Sequence, residues 1–480
     1  MQYLLRRPAV WPGMMFLFMG LVCFGISQLT TPRYVQQLRA AGLPASLMDL
    51  KAGYPNVPEN AATLYAQAAS LHVRLGRDVA LHALGAGIRP GQPLHYPPEL
   101  LLAAPILGNG TLPETAQALP EAYVEMFNTY LLPNGPALDK MREATSGKSV
   151  YFPVDLGAAS SGTHEHLTLL DELSKLVRVN TLMKARAGDA AGATDSLLCE
   201  LRLPGALENE PILASQMTRS SLTGTAVNSL QLVVRSVALT DAQLASIQEV
   251  LDLRSWSSTK PLERAFQGQQ AGLLAMIGLI DTLGDGPGWS AGASARLSKT
   301  LLGLGAYDPW VTVHFFDRLA RDIQGPDPYV REMPEGLESE LPAFRMLVSH
   351  GALTGLSRVK AGVGAMAAHV AVAQAGLAVQ RYCLAEGHAP ETLDQLVPRF
   401  LAAVPKDPFL GVPVRYARLR DDILVYSVGR DRMDNSGNEQ VEPSGMAPSI
   451  RGRRGIGSKP DAWGGDITFT VSGRCGEAVR

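Results

Sequence analysis

Charge is scarce in this chain and nearly balanced. Asp, Glu, Lys and Arg make up 18% of its 480 residues, and the formal net charge is −2. A nucleic-acid binder needs a basic face to meet phosphates, so this balance argues against that class. Cysteine is rarer still, with only Cys23, Cys199, Cys383 and Cys475. No CxxC occurs and no His/Cys group has zinc spacing, which removes the usual redox and zinc motifs. Cys23 lies in an apolar segment. An oxidising compartment would allow one disulfide among the other three, but their positions along the chain favour no particular pair.

Several short patterns approach catalytic signatures without completing them. Ser146-Gly147-Lys148-Ser149 ends like a phosphate loop, but Arg142 stands where the first Gly is required. Ser257-Ser258-Thr259-Lys260 fits S-x-x-K with no K-T-G after it. Gly303-Leu304-Gly305 runs on to Asp308 where a third Gly belongs. His164-Glu165-His166 is the most tempting metal candidate. Residues two apart on a helix point to different faces, and this triplet follows Ser161-Gly162-Thr163 at a helix start. The expectation is therefore a Thr163 cap with exposed His and Glu side chains in the first turn.

With 46% hydrophobic residues, the chain is globular in composition and long enough for two or three domains. Its 47 Gly and 33 Pro punctuate it without a collagen period. No charge occurs between Arg7 and Arg33, and Met14 to Ile26 is almost wholly apolar. With Ala9-Val10-Trp11 in front, that segment suits a bilayer core of roughly 30 Å. Arg6 and Arg7 favour a cytoplasmic N-terminus, although Arg33 and Arg39 behind the segment weaken the asymmetry. Gly25 and Ser27 would also suit a cleavable signal. The expectation is a membrane anchor over 1–32, with the rest of the chain outside the cytoplasm.

Beyond it, residues 33–342 read as an irregular helical domain. After a linker over 31–58, helices are expected at 61–73, 113–131, 135–145, 208–237, 240–252 and 259–284, with 86–112 mostly loop. The clearest unit is a hairpin over 164–203. Leu169, Leu173, Leu176, Val179, Asn180 and Met183 trace one face, Gly188-Asp189 makes the turn, and Ala193, Leu197, Leu198 and Leu201 return. Its A-x-x-G-D turn resembles one tetratricopeptide unit, but no array of that repeat follows. Thr240-Asp241-Ala242-Gln243 reads as a helix start. A long Ala- and Gly-rich helix from Ser349 to Glu386 is expected to stop at Gly387. A short helix at 391–397 and strands at 414–419, 423–428 and 467–471 follow it.

The order of long helix, Val404-Pro405-Lys406-Asp407-Pro408-Phe409, Arg415-Tyr416, Tyr426-Ser427-Val428-Gly429 with Asp431, and Asp466-Ile467 resembles the C-terminal part of type II secretion major pseudopilins. The resemblance covers 355–472 and implies an α+β module over 343–480. In pseudopilins the corresponding loop binds calcium, which orders the C-terminus. Pro58-Glu59-Asn60-Ala61-Ala62, Phe152-Pro153-Val154-Asp155 and the Gly188-Asp189 hairpin resemble large exported helical proteins of planctomycete-like bacteria. One departure bears on function: pilins carry a glutamate near the start of the apolar helix, and Met14 to Ile26 has none. Processing and polymerisation as a pilin are therefore not expected.

Asp431, Asp434 and Asn435 place hard oxygen donors within five residues, Ser436-Gly437 allows a tight turn, and Asp466 returns at the last strand. Calcium at Asp431, Asp434, Asn435 and Asp466 is the expectation. An Asx-rich surface turn without metal accounts for the same residues. Arg451, Arg453, Arg454 and Lys459 form a basic patch in the insert over 441–462. The sequence thus suggests a mainly α protein of the bacterial inner membrane, its bulk periplasmic, with a protein partner on the helical domain. A scaffold or accessory of a secretion or pilus-like system leads. The alternatives are an envelope hydrolase using His164, Glu165 or Asp155, with its site between helical domain and module, and a metal-free helical adaptor.

Overall fold

The structure is a computed structural model. It describes residues 46–53, 60–76, 94–152, 164–252, 256–283, 347–439 and 465–475 apart from single positions inside these ranges, with isolated positions elsewhere such as Phe316, Leu319 and Tyr329. The apolar segment Met14 to Ile26, Asp155, Thr163 and the basic insert at 441–462 lie outside the described residues.

Helices dominate. α1 (Leu47–Gly53) and α2 (Ala62–Leu71) precede a two-residue parallel pair, β1 (Leu75–Gly76) with β2 (Leu94–His95). α3 (Pro98–Ala103) corrects the reading of 86–112 as loop: Pro97 sits at its N-cap and Pro98 opens its first turn, where a missing N–H costs nothing. α4 (Glu121–Leu131) is shorter than the helix expected from 113, because Pro120 caps it. Before it only Ala116–Ala118 form a 3₁₀ turn. α5 (Gly135–Ala144) follows a 3₁₀ turn at Leu132–Asn134.

The hairpin stands as α6 (Glu165–Arg186) and α7 (Ala190–Arg202). Gly188 turns the chain at φ 73°, and Asp189 caps α7 by accepting from the Gly192 N–H at 2.9 Å. Leu170, Leu173, Leu176, Val177 and Leu197 are all buried. Between these helices Glu200, 2% exposed, accepts from Ser229 and lies 3.6 Å from Arg178.

α8 (Leu213–Ser236) starts later than expected, after Pro211 and a 3₁₀ turn at Leu203–Leu207. α9 (Asp241–Val250) carries the full capping box between Thr240 and Gln243. α10 (Lys260–Leu283) and α11 (Leu347–Glu386) follow. α11 spans 40 residues, about 60 Å, and Gly387 ends it at φ 74°. Its segment Val359–Glu386 is long and apolar enough to cross a bilayer, but 83% of its most apolar window is buried inside the protein. It therefore packs as a core helix.

The short helix expected at 391–397 is a 3₁₀ turn, Leu393–Leu396. β3 (Arg415–Arg418), β4 (Asp422–Ser427) and β5 (Ile467–Ser472) form an antiparallel sheet in the order β3-β4-β5. One face covers α11, where Ile423 opposes Val471 and Val425 opposes Phe469, all four buried. A Cβ at Gly376 of α11 would run into the Phe469 ring, so this glycine sets how closely β5 approaches the helix. Below it, Cys383 near the end of α11 is disulfide-bonded to Cys475 just past β5, with Cα atoms 4.8 Å apart. One apolar cluster runs from Ala62 through the hairpin and α8 to Val471, with α11 at its middle.

Candidate functional site

The second face of the sheet positions the acidic loop. Strand alternation puts Leu424 and Tyr426 of β4 on this face, and Arg415 of β3 pairs with Tyr426. The chain from Gly429 to Glu439 folds back over them, so that a Cβ on Gly437 would strike the Leu424 side chain. Arg432 and Ser436 take left-handed φ values of 57° and 58°, which curl the loop tightly. At its mouth Gly429 passes against the Gly465 carbonyl with φ 70°, a crossing that leaves no room for a side chain.

The four sequence-predicted residues come together here. Asp466 is 3% exposed; its Oδ1 accepts from the Asn435 N–H at 3.3 Å and its Oδ2 from the Gly437 N–H at 2.6 Å. Asp431 accepts from the Met433 N–H at 3.0 Å, the Gly465 N–H at 3.1 Å and the Asn435 side-chain amide at 3.4 Å. Asp434 accepts from the Ser436 N–H at 3.0 Å, the Tyr426 hydroxyl at 3.2 Å and the Arg415 guanidinium at 2.5 Å. Burial holds the Asp466 carboxyl above the usual carboxylate range, and the charges of Asp434 and Asp431 push it the same way. The two backbone N–H groups act against them.

This donor set is chemically suited to a hard cation. Every one of the six carboxylate oxygens accepts a protein hydrogen bond, yet a carboxylate oxygen has two acceptor directions. Among the described residues, Asp431 Oδ1, Asp434 Oδ2 and both Asp466 oxygens accept one such bond each. Among the described residues, no three His, Cys, Asp or Glu side chains stand close enough together to hold a metal ion. In the arrangement present, Arg415 supplies the positive charge nearest Asp434.

Asp407 entered the sequence reading only as part of the Asp-Pro-Phe motif, with no role of its own. It is 1% exposed, its Oδ1 accepts from the Phe409 N–H at 2.8 Å, and its Oδ2 accepts from the Val428 N–H at 2.9 Å. One carboxylate thereby clamps the Asp-Pro-Phe turn to the exit of β4, where the acidic loop begins. An Asp before Pro signals an Asx turn, but the second contact, to Val428, is tertiary and has no local signature.

At the start of α6 the expected arrangement is corrected. His164, with no side-chain cap bond, occupies the N-cap position where Thr163 was expected. His166 is largely buried: it lies 3.0 Å from the Glu210 carboxylate and stacks on Phe152 at 4.9 Å. Ser215 also donates to Glu210. Helical spacing alone hides this, because Glu210 arrives from beyond α7.

No family model, no curated protein and no solved structure matches this chain.

Proposed function

We propose that this protein is a membrane-anchored, extracytoplasmic scaffold or accessory of a secretion or pilus-like system. Its apolar N-terminal segment holds it in the inner membrane, its helical surface meets a protein partner, and its pseudopilin-like C-terminal unit is stiffened by calcium. The reading rests chiefly on one observation: Asp431, Asp434 and Asn435 are folded back onto the buried Asp466, within one loop over the outer face of the sheet. The charges of Asp434 and Asp431 act on Asp466 there, and a divalent cation would relieve that repulsion. The Cys383–Cys475 bridge supports the location, since such bonds persist in oxidising compartments.

The test is thermal melting of the full chain in detergent, with EGTA and with millimolar calcium. A calcium-dependent rise that disappears in Asp466→Asn and Asp431→Asn is expected. Because the Asp466 carboxyl is raised, protons compete with the cation, so calcium affinity should increase as pH climbs through that carboxyl's titration. Equal melting with EGTA and calcium would sink the metal and leave the loop held by its own hydrogen bonds.

A further inference from the structure

The junction between α8, α11 and the Asp-Pro-Phe turn contains a buried arginine whose Nε has no hydrogen-bond partner. Arg219 of α8 is 3% exposed. Its Nε has no hydrogen-bond partner, and among the described residues no carboxylate forms an ion pair with it. Burial works against the guanidinium's charge, and the charge of Glu208 partly offsets it. The Trp256 ring covers Arg219 with 5.2 Å between guanidinium carbon and ring centroid, and Trp256 is itself pinned by donating to the Val250 carbonyl at 3.0 Å.

A second orphan stands beside it. The Tyr329 hydroxyl, on a residue 8% exposed, also lacks any hydrogen-bond partner. Contacts along α11 fix the neighbourhood of the two. A Cβ at Gly362 would lie 3.9 Å from Ser220, the residue after Arg219. A Cβ at Gly364 would lie 3.4 Å from the Tyr329 Cβ and 3.1 Å from the Phe409 ring. Arg219 also acts on the Tyr329 phenol, lowering a pKa that burial pushes up to about 12.

Leaving the guanidinium Nε and the phenol hydroxyl buried and unbonded is costly, because each atom gave up water without gaining a hydrogen bond. Both are donors, and a guanidinium edge matches the two oxygens of a planar oxyanion. We propose that Arg219 and Tyr329, walled by Trp256, form a binding site for the oxyanion group of a small molecule, a carboxylate or a phosphate. The ligand sits between the helical region and the Asp-Pro-Phe turn, so its occupancy ties the two together. This site shares no residue with the calcium loop at 429–439 and Asp466.

Isothermal titration of the full chain in detergent tests it, using succinate and inorganic phosphate as separate probes against sodium chloride of equal ionic strength. Saturable binding of at least one probe is expected, lost in Arg219→Met and weakened about tenfold in Tyr329→Phe. The probe that binds identifies the anion class. Binding of neither probe overturns the proposal, and so does binding unchanged in Arg219→Met. If Arg219→Met fails to fold, Tyr329→Phe decides alone: weakened binding upholds the site and unchanged binding overturns it.

Discussion

Replacing Cys475 by Ser opens the bridge to Cys383, which spans 92 residues of sequence. In the chain-entropy treatment, closing a loop of that length removes about 4.6 kcal/mol of denatured-state freedom at 25 °C. The native state has other reasons to keep β5 in place: Phe469 and Val471 are fully buried, and β5 pairs with β4 over six residues. The variant should therefore fold as the parent does and lose stability mainly through its unfolded state, by roughly 2–5 kcal/mol. Urea unfolding of the full chain in detergent measures this, comparing Cys475→Ser with the parent protein before and after reduction. Thiol titration of unfolded, unreduced protein supplies the independent check. Of the four cysteines, two are in the bridge, so two thiols should react before reduction and four after it. Four reactive thiols without reductant would refute the reasoning, as would a parent protein whose unfolding midpoint ignores reduction.

Other consequences follow from buried groups. His72 is packed beside Tyr130, with its Nε2 2.7 Å from the hydroxyl, and burial lowers its pKa from 6.5 to about 4. The unfolded chain binds that proton first, so the contribution is complete above pH 6.5 and fades as pH falls toward 4, by about 3 kcal/mol in all. Urea midpoints across that range should fall less steeply in His72→Gln; identical slopes would show that His72 is not the group titrating. Asp407→Ala strands the Phe409 and Val428 N–H groups and should cost about 2–5 kcal/mol. Limited proteolysis should then cut within 429–439 faster than in the parent. Gly376→Ala drives a methyl toward Phe469 and should cost about 1–3 kcal/mol, partly recovered in a double variant with Phe469→Leu. Additive effects in that cycle would disprove the contact.

Much of the helical framework was legible because its signals are local. The α6–α7 turn at Gly188-Asp189, the Thr240/Gln243 capping box and the Gly387 stop each satisfy terminal backbone groups within a few residues, wherever the helix finally packs. Prolines explain most boundary errors: Pro98 opened an unexpected helix, and Pro120 and Pro211 delayed two others. The three strands of the C-terminal sheet stand within a residue or so of where the sequence placed them.

The sequence by itself determined a mainly helical chain, its principal turns, and the cluster of acidic residues available at 431–435 and 466. Only the tertiary structure decided what those residues touch. The pairing of Cys383 with Cys475, the Asp407 clamp on Val428, the contact of His166 with Glu210 and the packing of Arg219 on Trp256 all join segments distant in sequence. Periodicity reports which side of an element is apolar, but not which element will cover it. That choice is made when α11 is buried at the centre of the core, and the partners of each polar group follow from where it lies.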